Sequence, residues 1–337
     1  DPPVQQVAEP ERETEGRWRR GLRRFQRNRS AMLGLVVVLA MTLATVFARP
    51  ITIQEAGVTV QPFSLAPYPP EASMLFSDAS DAGTHAPPSV DHPMGTDGNA
   101  RDVFSRVLYG GRFSISIGFV VVVLTATIGV VYGSVSGYYG GWGDEGLMRV
   151  LDVVFAFPGL VLALVVVAML GAGYLQVLVA FTVFGWAGYA RLIRGEILSV
   201  KQEEYVLAAK AMGAKDRSVI FRHVVPNAIA PVIVQASLSV GTVVIGVAAL
   251  GFLGLGFESG TAEWGTMLDA ERNTLAPGPG GEIYWWTTVF PGIAIFIFVM
   301  SMNLIGDGIN DALDAREDVS TTREGGGGKR GGEGGRG

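Results

Sequence analysis

The chain has 337 residues, of which 49% are hydrophobic, 17% are charged and 46 are glycine. This composition is too apolar and too rich in glycine for an ordinary soluble domain, and it is typical of a protein embedded in a lipid bilayer. The formal net charge of -5 averages over regions of opposite sign. We expect no nucleic-acid partner. The lack of cysteine excludes disulfides, thiolate-bound zinc and thiol catalysis.

Long runs without charged residues predict six membrane-spanning helices, because a helix needs about 20 mostly apolar residues to cross roughly 30 Å of hydrocarbon. The runs lie at 30–48, 113–143, 153–190, 224–257 and 283–306. The third run has 38 uncharged residues, too many for one helix, and Gly171-Ala172-Gly173 near its middle predicts a turn between two helices. The predicted fold class is therefore an all-α polytopic membrane protein.

These runs divide the chain into segments. We expect a basic cytoplasmic segment at 1–29, a first transmembrane helix at 30–48, an extracytoplasmic loop at 49–112, a membrane core at 113–318 and a disordered Gly-rich tail at 319–337. Within the outer loop, 102–110 has the pattern of a short amphipathic helix on the outer surface. A secretory signal is the alternative for the first run, but its length and the lack of a small-residue cleavage site favour a span.

The basic residues predict the orientation, because cytoplasmic loops retain Lys and Arg. Eight Arg lie between positions 12 and 29, and only five of the 26 Lys and Arg residues fall in the predicted outer segments. With six spans, this bias places both termini in the cytoplasm of a multi-pass cell-membrane protein. Arg191, Arg194 and Glu196 are expected to anchor the fourth span at the inner membrane surface.

Few residues within the spans carry chemistry. Gly129, Gly133 and Gly137 recur at intervals of four, which predicts close packing of the second span against another helix. Asp152, near one end of the third span, is expected to pair with Arg149 three residues earlier, and a role in a solute path is left open. An ion-driven secondary transporter remains the alternative function, although it would need more carboxylates inside the membrane.

Neither a metal site nor an enzyme active site is predicted. His85 and His92 lie in the outer loop and His223 on the cytoplasmic side, so one site cannot collect all three. The spans contain no cluster of groups at catalytic spacing. The only Gly-Lys pair, in GGGGKRGG, lacks the Ser or Thr that follows the Lys of a phosphate-binding loop, so the chain is not expected to hydrolyse nucleotide.

The most informative segment is a polar insert between apolar runs, residues 203–227, which we call the elbow. It reads EEYVLAAKAMGAKDRSVIFRHVVPN. The composition predicts a helix at 203–212, a stop at Gly213, and a second short helix at 215–223 that ends before Pro226. The first helix fits either the groove of a partner protein, with Tyr205, Leu207 and Met212 as apolar anchors, or the lipid headgroups. Both readings stay open on these residues alone.

The spacing within the elbow resembles a known loop. Gly213 follows the pair Ala208-Ala209 by four residues, and Pro226 follows Gly213 by thirteen. This frame is similar to the EAA loop of bacterial and archaeal ABC importer permeases, whose pattern is Glu-Ala-Ala, three residues, Gly, nine residues, Ile-x-Leu-Pro.

Two positions depart from that pattern. Leu207 occupies the place of its Glu and His223 that of its Ile, while Glu204 lies one turn earlier and supplies a similar charge. The resemblance implies a coupling loop at 195–227, which contains the elbow and couples the chain to ATPase subunits. The residues implied are Glu204, Tyr205, Leu207, Ala208, Ala209, Met212, Gly213 and Pro226. Replacing Ala209 by a bulky acidic residue, or Gly213 by Val, is then expected to leave the protein folded and to uncouple ATP hydrolysis from uptake.

The resemblance extends from about residue 17 to residue 316 and is greatest to the C-type permease of dipeptide, oligopeptide and nickel importers. The segments that carry it include RRFQRNRSAMLGLVVV, HPMGTDGNARDVFSRVLYGGRFSISIG, GFLGLG, EWGTML, FPGIAIF and NLIGDGINDALDAR. It implies a type I importer permease fold that pairs with a homologous second permease, two ATP-binding subunits and an extracytoplasmic solute-binding protein. The chain then binds no cofactor itself, and the partner ATPases use ATP and Mg. Dipeptide, oligopeptide and nickel chelate all remain open as the solute.

Overall fold

The computed structural model describes residues 17–49, 51–53, 58–61, 64–76, 83–277 and 281–313. Most of these residues are helical, as the long uncharged runs predict. The start of the basic segment, 1–16, and the predicted Gly-rich tail at 319–337 lie outside the described residues.

The helices are α1 (Arg17–Arg27), α2 (Arg29–Val46), α3 (Val103–Tyr139), α4 (Gly141–Phe155), α5 (Gly159–Leu170), α6 (Tyr174–Val200), α7 (Glu204–Ala211), α8 (Asp216–Val219), α9 (Val225–Ala228), α10 (Ala230–Phe252), α11 (Trp264–Ala270) and α12 (Trp286–Leu313). A π turn, Ile220–Val224, joins α8 to α9. Between α2 and α3 the chain forms a short antiparallel ribbon of β1 (Ile51–Ile53) and β2 (Val58–Gln61).

In the described part of the chain, five helices are long and apolar enough to cross a membrane. They are α2, α3, α6, α10 and α12. The pair α4 and α5 provides a sixth span if the two are counted together. The turn predicted at Gly171-Ala172-Gly173 is present, because α5 ends at Leu170 and α6 begins at Tyr174.

The third predicted span is not one helix. α4 and α5 meet at an angle of 81°. Pro158 precedes the first residue of α5, and a proline disfavours helical backbone at the residue before it, which breaks the helix here. α5 has 12 residues. At 1.5 Å per residue it is about 18 Å long, which is too short to cross the hydrocarbon by itself.

The helix expected on the outer surface at 102–110 is instead the beginning of α3. Asp102 caps it, and its carboxylate accepts a hydrogen bond of 2.7 Å from the backbone N–H of Ser105. Because the cap satisfies a free N–H of the first turn, α3 begins ten residues before the predicted span and continues without a break to Tyr139.

The bundle has two ends. We call the end that carries α7, α8 and α9 the loop end, and the end that carries residues 64–76, 83–102, 257–277 and 281–285 the cap end. At the loop end the Asn28 side-chain amide donates to Asp311 at 3.1 Å, which joins the start of α2 to the end of α12. At the cap end the Trp286 indole donates to the Thr96 carbonyl at 3.1 Å.

α3 and α6 run in the same direction and pack closely through the three glycines of α3, as predicted. A Cβ atom on Gly129 would lie 2.5 Å from the Cβ of Tyr189, and one on Gly137 would lie 3.0 Å from the Arg194 carbonyl oxygen. A Cβ on Gly133 would collide with the Ala190 carbonyl. Only glycine permits so close an approach of two helix backbones.

The opposite side of α3 packs into the main apolar core. Val122 of α3, Val244 of α10 and Phe298 of α12 belong to one buried cluster, which Trp264 of α11 closes at the cap end. α3 therefore contacts most of the bundle, with α6 on one side and α10 and α12 on the other.

Candidate functional site

The elbow has the helix, glycine, helix order that its sequence predicts. α7 ends at Ala211, and Gly213 has a φ of +80°, in the left-handed region that favours glycine. The Gly213 N–H donates to the Lys210 carbonyl at 2.9 Å, which closes the turn before α8 begins at Asp216.

The second part of the elbow differs from the prediction. The short helix was expected to end before Pro226, but α8 passes into the π turn and then into α9, whose first turn contains Pro226. A proline at the start of a helix loses no hydrogen bond, because the first N–H groups have no partner within the helix. The helical path therefore continues through the proline.

The elbow has an inner and an outer face. On the inner face Val206 and Val219 are fully buried, in one cluster with Tyr138 and Ile197. On the outer face Tyr205, Leu207 and Met212, the predicted anchors, are all exposed, and Met212 exposes 82% of its surface. The outer face thus keeps large apolar side chains in the solvent beyond the ends of the spans.

The structure separates the two alanines of the predicted pair. Ala208 is exposed, whereas Ala209 is only 4% exposed and faces the protein's own core. Replacing Ala209 by a bulky acidic residue would therefore disturb the packing of the elbow itself, so the expectation that such a variant stays intact does not fit this geometry. The other implied residues, Glu204, Gly213 and Pro226, are exposed.

One outer-face residue was missed by the sequence reasoning. Phe221, in the π turn, exposes 59% of its surface on the segment that follows α8. Its neighbours Ile220 and Val224 are buried. A phenylalanine within an apolar stretch reads as a core residue, and only the π turn reveals that this one points outward.

The elbow is attached to the end of α3, which is distant from it in sequence. The Tyr138 hydroxyl donates to the Asp216 carboxylate at 2.7 Å, and the Lys210 ammonium lies 4.5 Å from the centre of the Tyr138 ring. Nearby, the Lys201 ammonium donates to the Gly137 carbonyl at 2.8 Å. These contacts hold α7 and α8 against the last turn of α3.

Ion pairs hold α4 against α6 at the same end. Both nitrogens of the Arg194 fork donate to Asp144, each at 2.6 Å, and the Ser136 hydroxyl of α3 donates to the same carboxylate. A bidentate pair of this kind fixes orientation as well as distance. Arg194 therefore joins two helices, and it is more than the membrane-surface anchor that its position suggested.

The predicted pair between Asp152 and Arg149 does not form. Asp152 instead accepts from Arg191 of α6 at 3.2 Å, and Arg149 lies 3.7 Å from Glu145. α4 lies beside α6, which brings Asp152 within reach of Arg191. Asp152 is exposed and ion-paired, which supports the structural role over the solute-path role.

At the cap end, buried charged residues hold the loops together. Asp97 pairs with Arg101 at 2.8 Å and with Arg106 at 3.4 Å, and Arg106 also donates to the Gly260 carbonyl at 3.2 Å. Two histidines belong to the same framework, because His92 contacts Asp102 at 2.9 Å and His85 contacts Glu271 at 3.0 Å. Among the described residues no group of three or more His, Asp or Glu side chains is placed to hold a metal ion.

Glu263 is a second buried acid of the cap end, and the sequence reasoning did not single it out. Its carboxylate accepts hydrogen bonds from the Ser114 hydroxyl at 2.9 Å and from the Thr266 N–H at 2.9 Å. Burial raises the pKa of Glu263, and the hydrogen bonds from Gly265, Thr266 and Ser114 oppose that rise. The residue joins α3 to α11.

Comparisons with known proteins match nearly the whole chain. A family model described as binding-protein-dependent transport system inner membrane component matches residues 129–319, and one described as the N-terminal TM domain of oligopeptide transport permease C matches residues 16–88. The dipeptide transport system permease protein DppC of Alkalihalophilus pseudofirmus is 36% identical over 299 residues, 89% of this chain and 90% of that protein.

Two further proteins resemble the chain. The glutathione transport system permease protein GsiD of Shigella dysenteriae serotype 1 is 38% identical over 299 residues, again 89% of this chain and 90% of that protein. Among solved structures, one titled as inward-facing conformations of the MetNI methionine ABC transporter gives a TM-score of 0.48 at 16% identity, over 60% of this chain and 96% of that chain.

Proposed function

Because the chain belongs to the family of binding-protein-dependent transport system inner membrane components, we propose that it is the permease subunit of an ATP-driven importer whose solute is a di- or oligopeptide. Two relatives that match about nine-tenths of the chain are named for transport of a dipeptide and of glutathione, and both of these solutes are short peptides. Their names favour a peptide over a nickel chelate.

The elbow is proposed as the contact with the ATPase subunits. The observation that carries this assignment is the outer face of the elbow, where Tyr205, Leu207, Met212 and Phe221 are exposed beyond the ends of the spans. Large exposed apolar side chains grouped on one segment are typical of a protein interface. The inner face is packed against α3, so a push on the outer face would be carried into the bundle.

In this proposal the chain forms the translocation pathway with a homologous second permease, two ATP-binding subunits dock at the loop end, and a solute-binding protein docks at the cap end. The ATPases bind ATP and Mg²⁺, and this chain binds neither. Both termini are cytoplasmic. Two observations support that orientation: seven Arg precede α2, and the end of α12 lies at the same end of the bundle as the elbow.

The assignment of the elbow can be tested by measuring which subunits remain with the tagged full-length chain after mild extraction from its native membrane. We expect quantitative mass spectrometry to find a second permease and ATP-binding subunits with the wild-type chain. The double variant Leu207→Glu, Met212→Glu should retain at least tenfold less ATPase while it keeps the second permease, because two charges replace the centre of the apolar face.

Leu275→Glu is the matched control, since Leu275 is also an exposed leucine outside the spans but lies at the cap end. ATPase retention that is equal in the double variant and the wild type would contradict the assignment of the elbow. A wild-type chain that brings no ATPase at all would contradict the importer itself and would return the secondary transporter to consideration. Uptake of a labelled dipeptide by cells with and without the chain then tests the solute.

A further inference from the structure

The cap end contains a cavity of about 920 Å³ that the proposed coupling does not use. It lies between the end of α2, the first half of α3 and the loops at 69–71 and 261–262. Cavities that bind small organic molecules are about 300–1,000 Å³ in volume. This one therefore has room for a ligand of appreciable size.

Two arginines, Arg49 and Arg112, line this cavity. Within the described part of the chain, neither Arg49 nor Arg112 forms an ion pair, although Glu71 lines the same cavity. Arg49 is close enough to Arg112 to act on its charge, and both arginines act on Tyr109. By contrast Arg101, Arg106 and Arg194 are each paired with an Asp, so the described residues leave the positive charge at the cavity unpaired.

The remaining lining includes both polar and aromatic side chains. The Tyr174 hydroxyl donates to the Ser116 hydroxyl at 3.2 Å, while Phe113 and Phe119 supply aromatic surface. Two guanidinium groups that share a space are matched by an oxyanion, because each presents parallel N–H donors to two oxygens. The aromatic surface of Phe113 and Phe119 is suited to an apolar part of the molecule that carries the oxyanion.

We propose that this cavity binds an oxyanion, a carboxylate or a phosphate, carried on a partly apolar molecule. The inference rests on the cavity and not on the proposed function, and it holds whether the elbow binds ATPases or not. Two sources could supply such a ligand. One is a small organic acid from the solution, and the other is a phospholipid headgroup, since Thr42, Thr45 and Val46 of the span α2 also line the cavity.

The test uses the full-length chain, with the subunits that co-purify, in phosphatidylcholine nanodiscs. Binding of N-acetylleucine is compared with that of N-acetylleucinamide, which lacks the carboxylate, by saturation-transfer NMR with empty nanodiscs subtracted. In a second arm, native mass spectrometry measures whether phosphatidylglycerol, added in equal amount to phosphatidylcholine, is retained preferentially. A solute source predicts at least a fivefold stronger signal from the acid than from the amide. A lipid source predicts at least fivefold retention of phosphatidylglycerol.

Three variants make the result specific to the two arginines. Arg49→Gln with Arg112→Gln should remove the preference for the anion, and Arg49→Lys with Arg112→Lys should keep at least half of it. Arg272→Gln is the control, because Arg272 lies at the cap end, is paired with Asp269 and does not line the cavity. No preference for the anion in either arm, or an equal loss in the Arg272 variant, would overturn the proposal.

Discussion

Tyr138 joins the elbow to the end of α3, and its hydroxyl is the part of that joint that a substitution can remove alone. Tyr138→Phe deletes the 2.7 Å hydrogen bond to Asp216 and keeps the ring over which Lys210 lies. A hydrogen bond to a charged group contributes about 1.5–3 kcal/mol. Because Asp216 is exposed to solvent, we take the lower value, about 1.5 kcal/mol.

A loss of that size makes the released elbow about tenfold more populated, since every 1.4 kcal/mol changes an equilibrium about tenfold. Hydrogen exchange followed by mass spectrometry measures this population directly, because backbone amides exchange when a segment opens locally. We expect the amides of α7 and α8 to exchange about tenfold faster in the Tyr138→Phe variant than in the wild-type assembly.

Tyr139→Phe is the matched control, because Tyr139 is the next residue, exposes 63% of its surface and makes no hydrogen bond through its hydroxyl to the described residues. Its elbow amides should exchange at the wild-type rate. If the exchange rate in the Tyr138→Phe variant stays within twofold of wild type, the Tyr138 hydroxyl does not hold the elbow against α3. An equal increase in both variants would refute this role in the same way.

Three further outcomes follow from the fold. Gly133→Ala should lower the free energy of unfolding by about 1–3 kcal/mol, the cost of overpacking, because the added Cβ meets the Ala190 carbonyl of α6. Gly188→Ala is the control, because a Cβ there has no atom within 4 Å. Equal melting temperatures of the two variants would contradict the prediction. Gly213→Val should abolish most peptide uptake while Gly213→Asn retains it, since asparagine tolerates a positive φ; equal uptake by both would count against a role for the turn. Burial raises the pKa of Glu263 in the folded state, so stability is lost as pH rises above 4.5, the ordinary pKa of a glutamate side chain. The melting temperature should therefore rise more for wild type than for Glu263→Gln as pH falls from about 8 to about 5, and parallel curves would exclude this linkage.

The sequence was sufficient where structure is determined locally. The stop at Gly213 and the turn at Gly171-Ala172-Gly173 follow from the backbone freedom of glycine, and the close approach of α3 to α6 follows from the repeat of small residues. The bend between α4 and α5 was missed although Pro158 marks it, because a count of apolar residues finds a span without asking whether the helix is continuous.

Contacts between distant residues could not be predicted in the same way. Tyr138 and Asp216 are 78 residues apart, and each alone is compatible with a solvent-exposed position. The same holds for Arg106, which was read as part of a surface helix and is buried with Asp97. A charged residue in an amphipathic pattern faces either water or a buried partner, and only the tertiary fold decides which.

α3 has a mechanical consequence that concerns both ends of the protein. With 37 residues at 1.5 Å per residue it is a rod about 55 Å long. A tilt of about 5° at one end displaces the other end by about 5 Å. Tyr138 contacts the elbow at one end of α3, and Arg112 lines the cavity near the other end of the same helix. If α3 moves as a rigid rod, a ligand that favours one width of the cavity alters the affinity of the elbow for a partner by the same factor by which that partner alters the affinity of the cavity for the ligand.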